Sequence, residues 1–212
     1  LPGDGIGPEI MAQALRVPAA EHEAYFCGEL SHIDEPTAPF NVLDARQSGA
    51  TFETAALPLD EPLGRDIRAE ARRRGVSPAV LFHVAWAQIL ARCTGRNEVV
   101  FGTALSGRMH GAGGADRVWG MFINTLPIRV VVEGTAADAI DQTRRRLAEL
   151  LEHEHAPLSL AQRCSSVPSS LPLFTTLLNY RHSGDVYAIP GGMRLVASEE
   201  TSNYPILMSV DD

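Results

Sequence analysis

The sequence has no apolar run long enough to span a membrane, no basic-then-apolar leader at its start and no excess of positive charge. A membrane helix needs about 20 consecutive apolar residues. A secretory leader needs a basic stretch, an apolar stretch and a small-residue cleavage site. Neither pattern occurs, and mean hydropathy is −0.03. The formal net charge is −8. This disfavours nonspecific binding to nucleic acid or to an anionic membrane surface, since both require a basic face. Cysteine is scarce. Cys27, Cys93 and Cys164 are widely spaced and form no Cys-x-x-Cys pair. Buried thiols in a reducing, cytoplasmic compartment are the expectation. Ser106 and Ser183 lack the context of a nucleophile elbow. No internal repeat is present.

What the chain does have is apolar material. Its 212 residues are 45% hydrophobic, enough for one domain, or one and a half small ones, with a real core. The stretch that organises it is 99–132. Residues 99–105 are a short apolar run, and 124–132 are a second with Ile128, Val130, Val131 and Val132 giving β-branched character. Between them lie Gly107, Gly111, Gly113, Gly114 and Gly120. Glycine-rich connections hung from rigid strands often carry binding or catalysis.

Further elements follow from caps and periodicity. Residues 18–30 predict an amphipathic helix with Tyr25, Phe26 and Leu30 on its apolar side. Residues 34–44 read as extended, because Pro36 and Pro39 disfavour helix. Residues 55–59 are a weak strand candidate. A helix over 61–74 ends at Gly75, with Arg72, Arg73 and Arg74 in its last turn as a solvated helix end. Ser77 and Pro78 open a second helix, apolar most of the way round, that Gly95 stops. Trp86 reads as core and His83 as a satisfied core histidine. Gly134 and Thr135 start a long helix reaching about residue 153, with Ile140, Leu147, Leu150 and Leu151 as its buried stripe and Asp141 and Arg145 supporting it four apart. A short helix covers 158–164. Strands are expected at 175–180, 193–197 and 206–210. Strands and helices alternate without a strict period, which argues a mixed α/β layer architecture.

The central stretch resembles the condensation domain of nonribosomal peptide synthetases. The family pattern Gly-x-Phe-Val-Asn-Thr-Leu-Pro-x-Arg is met by Gly120, Phe122, Asn124, Thr125, Leu126, Pro127 and Arg129, with Ile123 for Val. The upstream Ser-Gly-Arg ends at Arg108. Residues 153–160 are similar to the next family motif, His-Gln-Asp-x-Pro-Phe-Glu. His153 and Pro157 fit, while His155 and Ser159 replace the two acids. Residues 169–180 are similar to a further motif in which a Ser-x-x-Pro-Leu-Phe run enters a strand. The resemblance covers about residues 19–212.

It implies a chloramphenicol-acetyltransferase-like lobe, a mixed β-sheet covered by helices, as part of a two-lobe domain. Residues 18–60 would be the tail of the first lobe and a linker, and 61–212 the second lobe. The implied chemistry is amide formation between carrier-tethered acyl and aminoacyl thioesters. No cofactor would be bound directly, since substrates ride on the phosphopantetheine of carrier proteins. Carrier domains and an adjacent adenylation domain are the implied partners, with self-association expected where the other lobe is absent.

The family's catalytic base is the second histidine of His-His-x-x-x-Asp-Gly. None of His22, His32, His83, His110, His153, His155 and His182 stands in that motif, whose place would be upstream of Leu1. No catalytic residue is therefore assigned. His153 and His155 could offer a metal two ligands, but no third is evident, and solvated or hydrogen-bonded histidines are the favoured reading. Arg108, Gly120, Asn124 and Thr125 are the substrate-channel candidates. Asn124 offers two donors and an acceptor for a thioester or amide carbonyl, or else satisfies nearby backbone groups. Arg108 could meet a pantetheine phosphate, or else pair with Asp116.

Residues 1–17 resemble a different family. Leu-Pro-Gly-Asp-Gly-Ile-Gly-Pro-Glu is similar to the amino-terminal strand-loop-helix of isopropylmalate and isocitrate dehydrogenases, with a helix expected over 9–17. Nothing later resembles that family's aspartate-rich metal site. A fused, truncated or misassembled reading frame, or a chance helix start, is favoured over a working cofactor site. Three functions stay open: a partial condensation domain, inactive alone; a docking module for carrier domains; and, least supported, a dehydrogenase fragment.

Overall fold

The computed structural model describes residues 17–44, 53–105, 123–181 and 202–212. Helix α1 spans Ala19–Leu30. Phe26 and Leu30, four apart, fall on one face and are buried. Helix α2 spans Glu61–Arg74. Asp60 caps it by accepting the Leu63 amide at 3.1 Å, and Pro62 suits the first turn, where its missing N–H has no partner to lose. Gly75 ends it with φ +65°, a conformation that a side chain would strain. Arg73 and Arg74 fold back on Glu70 of the same helix, and with their carboxylate they form the expected solvated helix end.

Helix α3 spans Pro78–Thr94 and stops at Gly95. It buries Val80, His83, Val84, Trp86, Ala87, Leu90 and Ala91. Ile89 faces outward, so one side remains wet. Helix α4 spans Ala136–Glu152 and opens with a reciprocal capping box: the Thr135 hydroxyl accepts the Asp138 amide, and the Asp138 carboxylate accepts the Thr135 amide. Arg145 supports it by bonding the Asp141 carbonyl rather than its carboxylate. Helix α5 is the short Leu158–Arg163.

Four strands form one mixed sheet in the order β2-β1-β3-β4. Strand β1 is Glu98–Leu105 and β2 is Asn124–Val131. They pair antiparallel from Glu98 opposite Val131 to Leu105 opposite Asn124. Strand β3, Thr176–Arg181, runs parallel to β1 through Gly102–Leu177 and Thr103–Leu178. Strand β4, Ile206–Asp211, runs parallel to β3 along its whole length. Pro127 is tolerated because β2 pairs on one side only among the described residues. One sheet face is held by α3: His83 reaches Thr103 and lies against Phe101, and Phe82 lies against Tyr180. The core joins this face to α1, α4 and α5 through Phe26, Leu30, Leu90, Phe101, Leu126, Leu150, Leu160 and Leu178. Helix α1 thus packs in the same core as the sheet.

Several expectations are corrected. Residues 55–59 form no strand. They are exposed, and among the described residues no neighbouring strand supplies the missing half of a ladder. Residues 34–44 are not uniformly extended: a one-turn 3₁₀ helix occupies Pro39–Asn41, with Phe40 and Asn41 both at φ +57°. Thr37 anchors this segment by a bridge to Phe174 and by accepting the Val100 amide at 2.9 Å. The cysteines are not three buried thiols. Cys27 and Cys164 form a disulfide with Cα atoms 4.5 Å apart, and Cys93 is exposed. The pair is separated by 137 residues, so its proximity comes from the packing of α1 on α5, which spacing cannot reveal. The strand expected at 193–197 and the helix expected over 9–17 lie outside the described residues, apart from Val17.

Candidate functional site

The parallel strands β1, β3 and β4 end on the same side of the sheet, at Leu105, Arg181 and Asp211, and β2 starts there at Asn124. In open sheets with parallel strands, ligands bind beyond the carboxyl ends. The glycine-rich segment 106–122 connects two points on this edge. Its candidates Arg108 and Gly120, with His110, lie outside the described residues.

Asn124 and Thr125 both stand at this edge, and the pleat sends them to opposite faces. The Asn124 carboxamide donates to the carbonyls of Glu154 and Ala156, each at 2.8 Å, and accepts the Thr125 amide at 2.9 Å. Both of its N–H groups are therefore committed to main chain. They tie the start of β2 to the turn between α4 and α5. Of the two roles offered for Asn124, this geometry is the backbone-satisfying one.

Thr125 points to the other face. Its methyl lies 3.0 Å from where a Cβ would stand on Gly102, and the Phe174 ring lies 2.6 Å from the same point. Phe174 stacks on Tyr204 with centroids 5.6 Å apart, and the Tyr204 phenol lies beside the Thr125 side chain. Burial pushes the Tyr204 hydroxyl up from its ordinary value, and the Thr125 side chain offsets part of that rise. Gly102 leaves the space that the Phe174 ring occupies here. Sequence reading did not single out Tyr204, because no local signal links it to a threonine nearly eighty positions earlier.

At the same edge, the Tyr180 hydroxyl donates to Asp212 at 2.7 Å, and Arg68 donates to the other oxygen of that carboxylate at 2.6 Å. Burial, and then the Asp212 carboxylate, raise the Tyr180 phenol well above its usual range. This clamp fastens α2 to the end of β4.

The turn that Asn124 holds contains Glu154, buried at 2% exposure, and His155, whose Nε2 lies 3.7 Å from the Glu154 carboxylate. His153, just before it, does not face His155. Its Nδ1 meets Nδ1 of His22 at 2.8 Å, and Tyr25 stacks on its ring with centroids 4.2 Å apart. One Nδ1 must carry the shared proton and the other accept it. Burial lowers the pKa of both histidines, and the His153 charge lowers that of His22 further. Among the described residues, no group of three or more His, Cys, Asp or Glu side chains could hold a metal.

His83 is settled by its partners. Its Nδ1 lies 2.7 Å from the Ala79 carbonyl, which can only accept, so Nδ1 carries the proton. Nε2 then accepts from the Thr103 hydroxyl at 2.8 Å. Burial lowers its pKa to about 4, so it is a neutral core residue, as the sequence suggests. Arg129, the last residue of the matched motif, lies at the other end of β2. It joins Glu29 of α1 to Glu98 of β1, and Arg146 of α4 donates to its carbonyl at 3.2 Å. Burial alone would raise Glu98, but the bonds from Arg129 and His32 outweigh it and hold its carboxyl below the ordinary value.

The condensation-domain family profile matches residues 17–205. The chain is 48% identical over 196 residues to malpibaldin synthetase of Mortierella alpina, covering 91% of this chain and 4% of that protein. It is 47% identical over 208 residues to malpinin synthetase of the same organism, covering 96% of this chain and 3% of that protein. In fold it is similar to the first condensation domain of the calcium-dependent antibiotic synthetase, with a TM-score of 0.65 at 22% identity, over 82% of this chain and 39% of that one. The chain thus spans only a few hundredths of the length of the curated relatives that it matches.

Proposed function

Because the chain belongs to the condensation-domain family, we propose that it is part of a unit that joins an acyl thioester to an amine, both delivered on carrier-protein arms. The observation that carries this reading is the match over residues 17–205, with its Gly-x-Phe-x-Asn-Thr-Leu-Pro-x-Arg motif entering β2 at the carboxyl edge of the sheet. In the reaction the amine nitrogen attacks the thioester carbonyl. A C–N bond forms, the C–S bond breaks, the carrier thiol leaves, and a base takes one amine proton. Substrates would remain on phosphopantetheine arms, with no cofactor held by this chain. Carrier domains and an adenylation domain are the proposed partners.

The 212 residues contain no His-His-x-x-x-Asp-Gly sequence, so this chain alone is proposed not to catalyse. Its share of the work is to shape the channel. Thr125, beside Tyr204, offers a hydroxyl on one sheet face. Asn124 acts at one remove, by fixing the turn at residues 154–156. Arg108 and Gly120 are proposed to line the channel from the glycine-rich segment. Residues 61–212 are proposed as the second lobe, and 18–60 as the segment leading into it. A cytoplasmic location is proposed from the sequence's want of a membrane-length apolar run. The argument from buried thiols falls with the Cys27–Cys164 pair.

The test is a product assay with both loaded carriers. The isolated chain is expected to give no amide above background, and turnover would overturn the reading. In an intact two-lobe domain carrying these residues, Thr125→Val is expected to lower product formation at unchanged melting temperature. Asn124→Ala is expected to lower both. An Asn124→Ala domain with full activity would remove the turn from the channel.

A further inference from the structure

We propose that Cys27 and Cys164 are a reversible redox staple that sets how firmly α1 is fastened to the rest of the fold. The two side chains sit on different elements, α1 and the C-terminal end of α5, with their Cα atoms 4.5 Å apart. That separation lies within the disulfide range. The same place also accommodates the dithiol. The Cys164 sulfur is 3.6 Å from the Glu23 carbonyl, an acceptor in position for a thiol proton. Cys164 is buried, while Cys27 is only partly so. Cys27 is the sulfur that an external disulfide reaches first.

The exchange balances with a glutathione-type disulfide as oxidant. The Cys27 thiolate attacks one of its sulfurs, an S–S bond forms, and one glutathione thiolate leaves. The Cys164 thiolate then attacks the Cys27 sulfur, and the second glutathione leaves. The protein loses two protons and two electrons, and the oxidant becomes two thiols.

Polar contacts also fasten α1. His22 meets His153, Glu29 meets Arg129 and Arg146, and the Ser166 hydroxyl donates to the Ser31 carbonyl at 2.6 Å. Phe26 and Leu30 hold it to the core. The staple closes a loop of more than a hundred residues, the regime in which a cross-link most restricts the unfolded chain. Because His153 immediately precedes the turn tied to Asn124, the oxidation state of α1 bears on the channel edge of the sheet.

The experiment compares the purified chain with Cys93→Ser, equilibrated in either glutathione disulfide or excess glutathione. Cys93 is the exposed third thiol and takes no part in the staple, so its removal excludes cross-linked pairs of chains. Alkylation under denaturing conditions followed by mass measurement counts free thiols. The expected count is none in the oxidised sample and two in the reduced one, with no disulfide between chains in either. Reduction is expected to lower the melting temperature by about 5 °C. It should speed amide exchange of α1 by tenfold or more while β1 and β2 exchange as before. Two free thiols under glutathione disulfide would overturn the proposal. So would a formed bond that changes neither melting temperature nor α1 exchange.

Discussion

At the scale of single residues, the buried polar side chains decide how the protein responds to acid. His83 is nearly inaccessible and keeps a neutral ring between Ala79 and Thr103. Its folded pKa is about 4, against 6.5 for a free imidazole. The unfolded chain therefore takes up the proton first. The contribution of His83 is intact above pH 6.5 and is lost as pH falls toward 4, by on the order of 3 kcal/mol. His22 and His153 are also lowered and add to the loss in the same direction. Following the His83 ring by NMR should give a midpoint near 4; one near 6.5 would mean that the ring is hydrated. Thr143 argues the opposite kind of case. It is fully buried in α4, and its hydroxyl has no hydrogen-bond partner. Thr143→Val keeps the branched shape and removes the unpaired group, so it should stabilise by about 1 kcal/mol in urea unfolding.

At the scale of elements, the sheet depends on one place without a side chain. Gly102→Ala would put a methyl 2.6 Å from the Phe174 ring. Both the ring and its stack on Tyr204 would have to shift, at a cost of about 1–3 kcal/mol. The denaturant midpoint should fall, and Tyr204 fluorescence should report the displaced stack. Asn124→Asp replaces two donors with a carboxylate oxygen facing two carbonyls, and should cost about 2–3 kcal/mol. Much of this architecture was legible locally. Gly75, Gly95, Pro78 and Thr135 marked helix ends through their own chemistry, and the β-branched run at 128–132 marked β2. The pairings His22–His153, Cys27–Cys164 and Thr125–Tyr204 were not legible. Each links residues that only tertiary packing brings together. The opposed directions of Asn124 and Thr125 follow from the pleat alone. Knowing what each direction meets required the neighbours.

At the scale of the whole molecule, the described surface leaves Phe40, Leu57, Leu59 and Ile123 open, with Leu57 at 85% exposure. Apolar side chains in that number favour association. Sedimentation should show self-association that grows with concentration, whereas a clean monomer that binds no apolar dye would contradict it. Among the described residues, no single helix is long and apolar enough to cross a membrane. The long-range fastening of α1 has a consequence for synthesis. Its partners Cys164 and Ser166, and the Phe174 bridge to Thr37, emerge more than 130 residues after it. At a ribosomal pace of about 5–20 residues per second, α1 waits roughly 7 to 27 seconds before these last partners exist. During that interval the cover of Phe26 and Leu30 is incomplete, since the later part of the shared core, from Leu160 to Leu178, has yet to be made, and a nascent-chain chaperone would find them there.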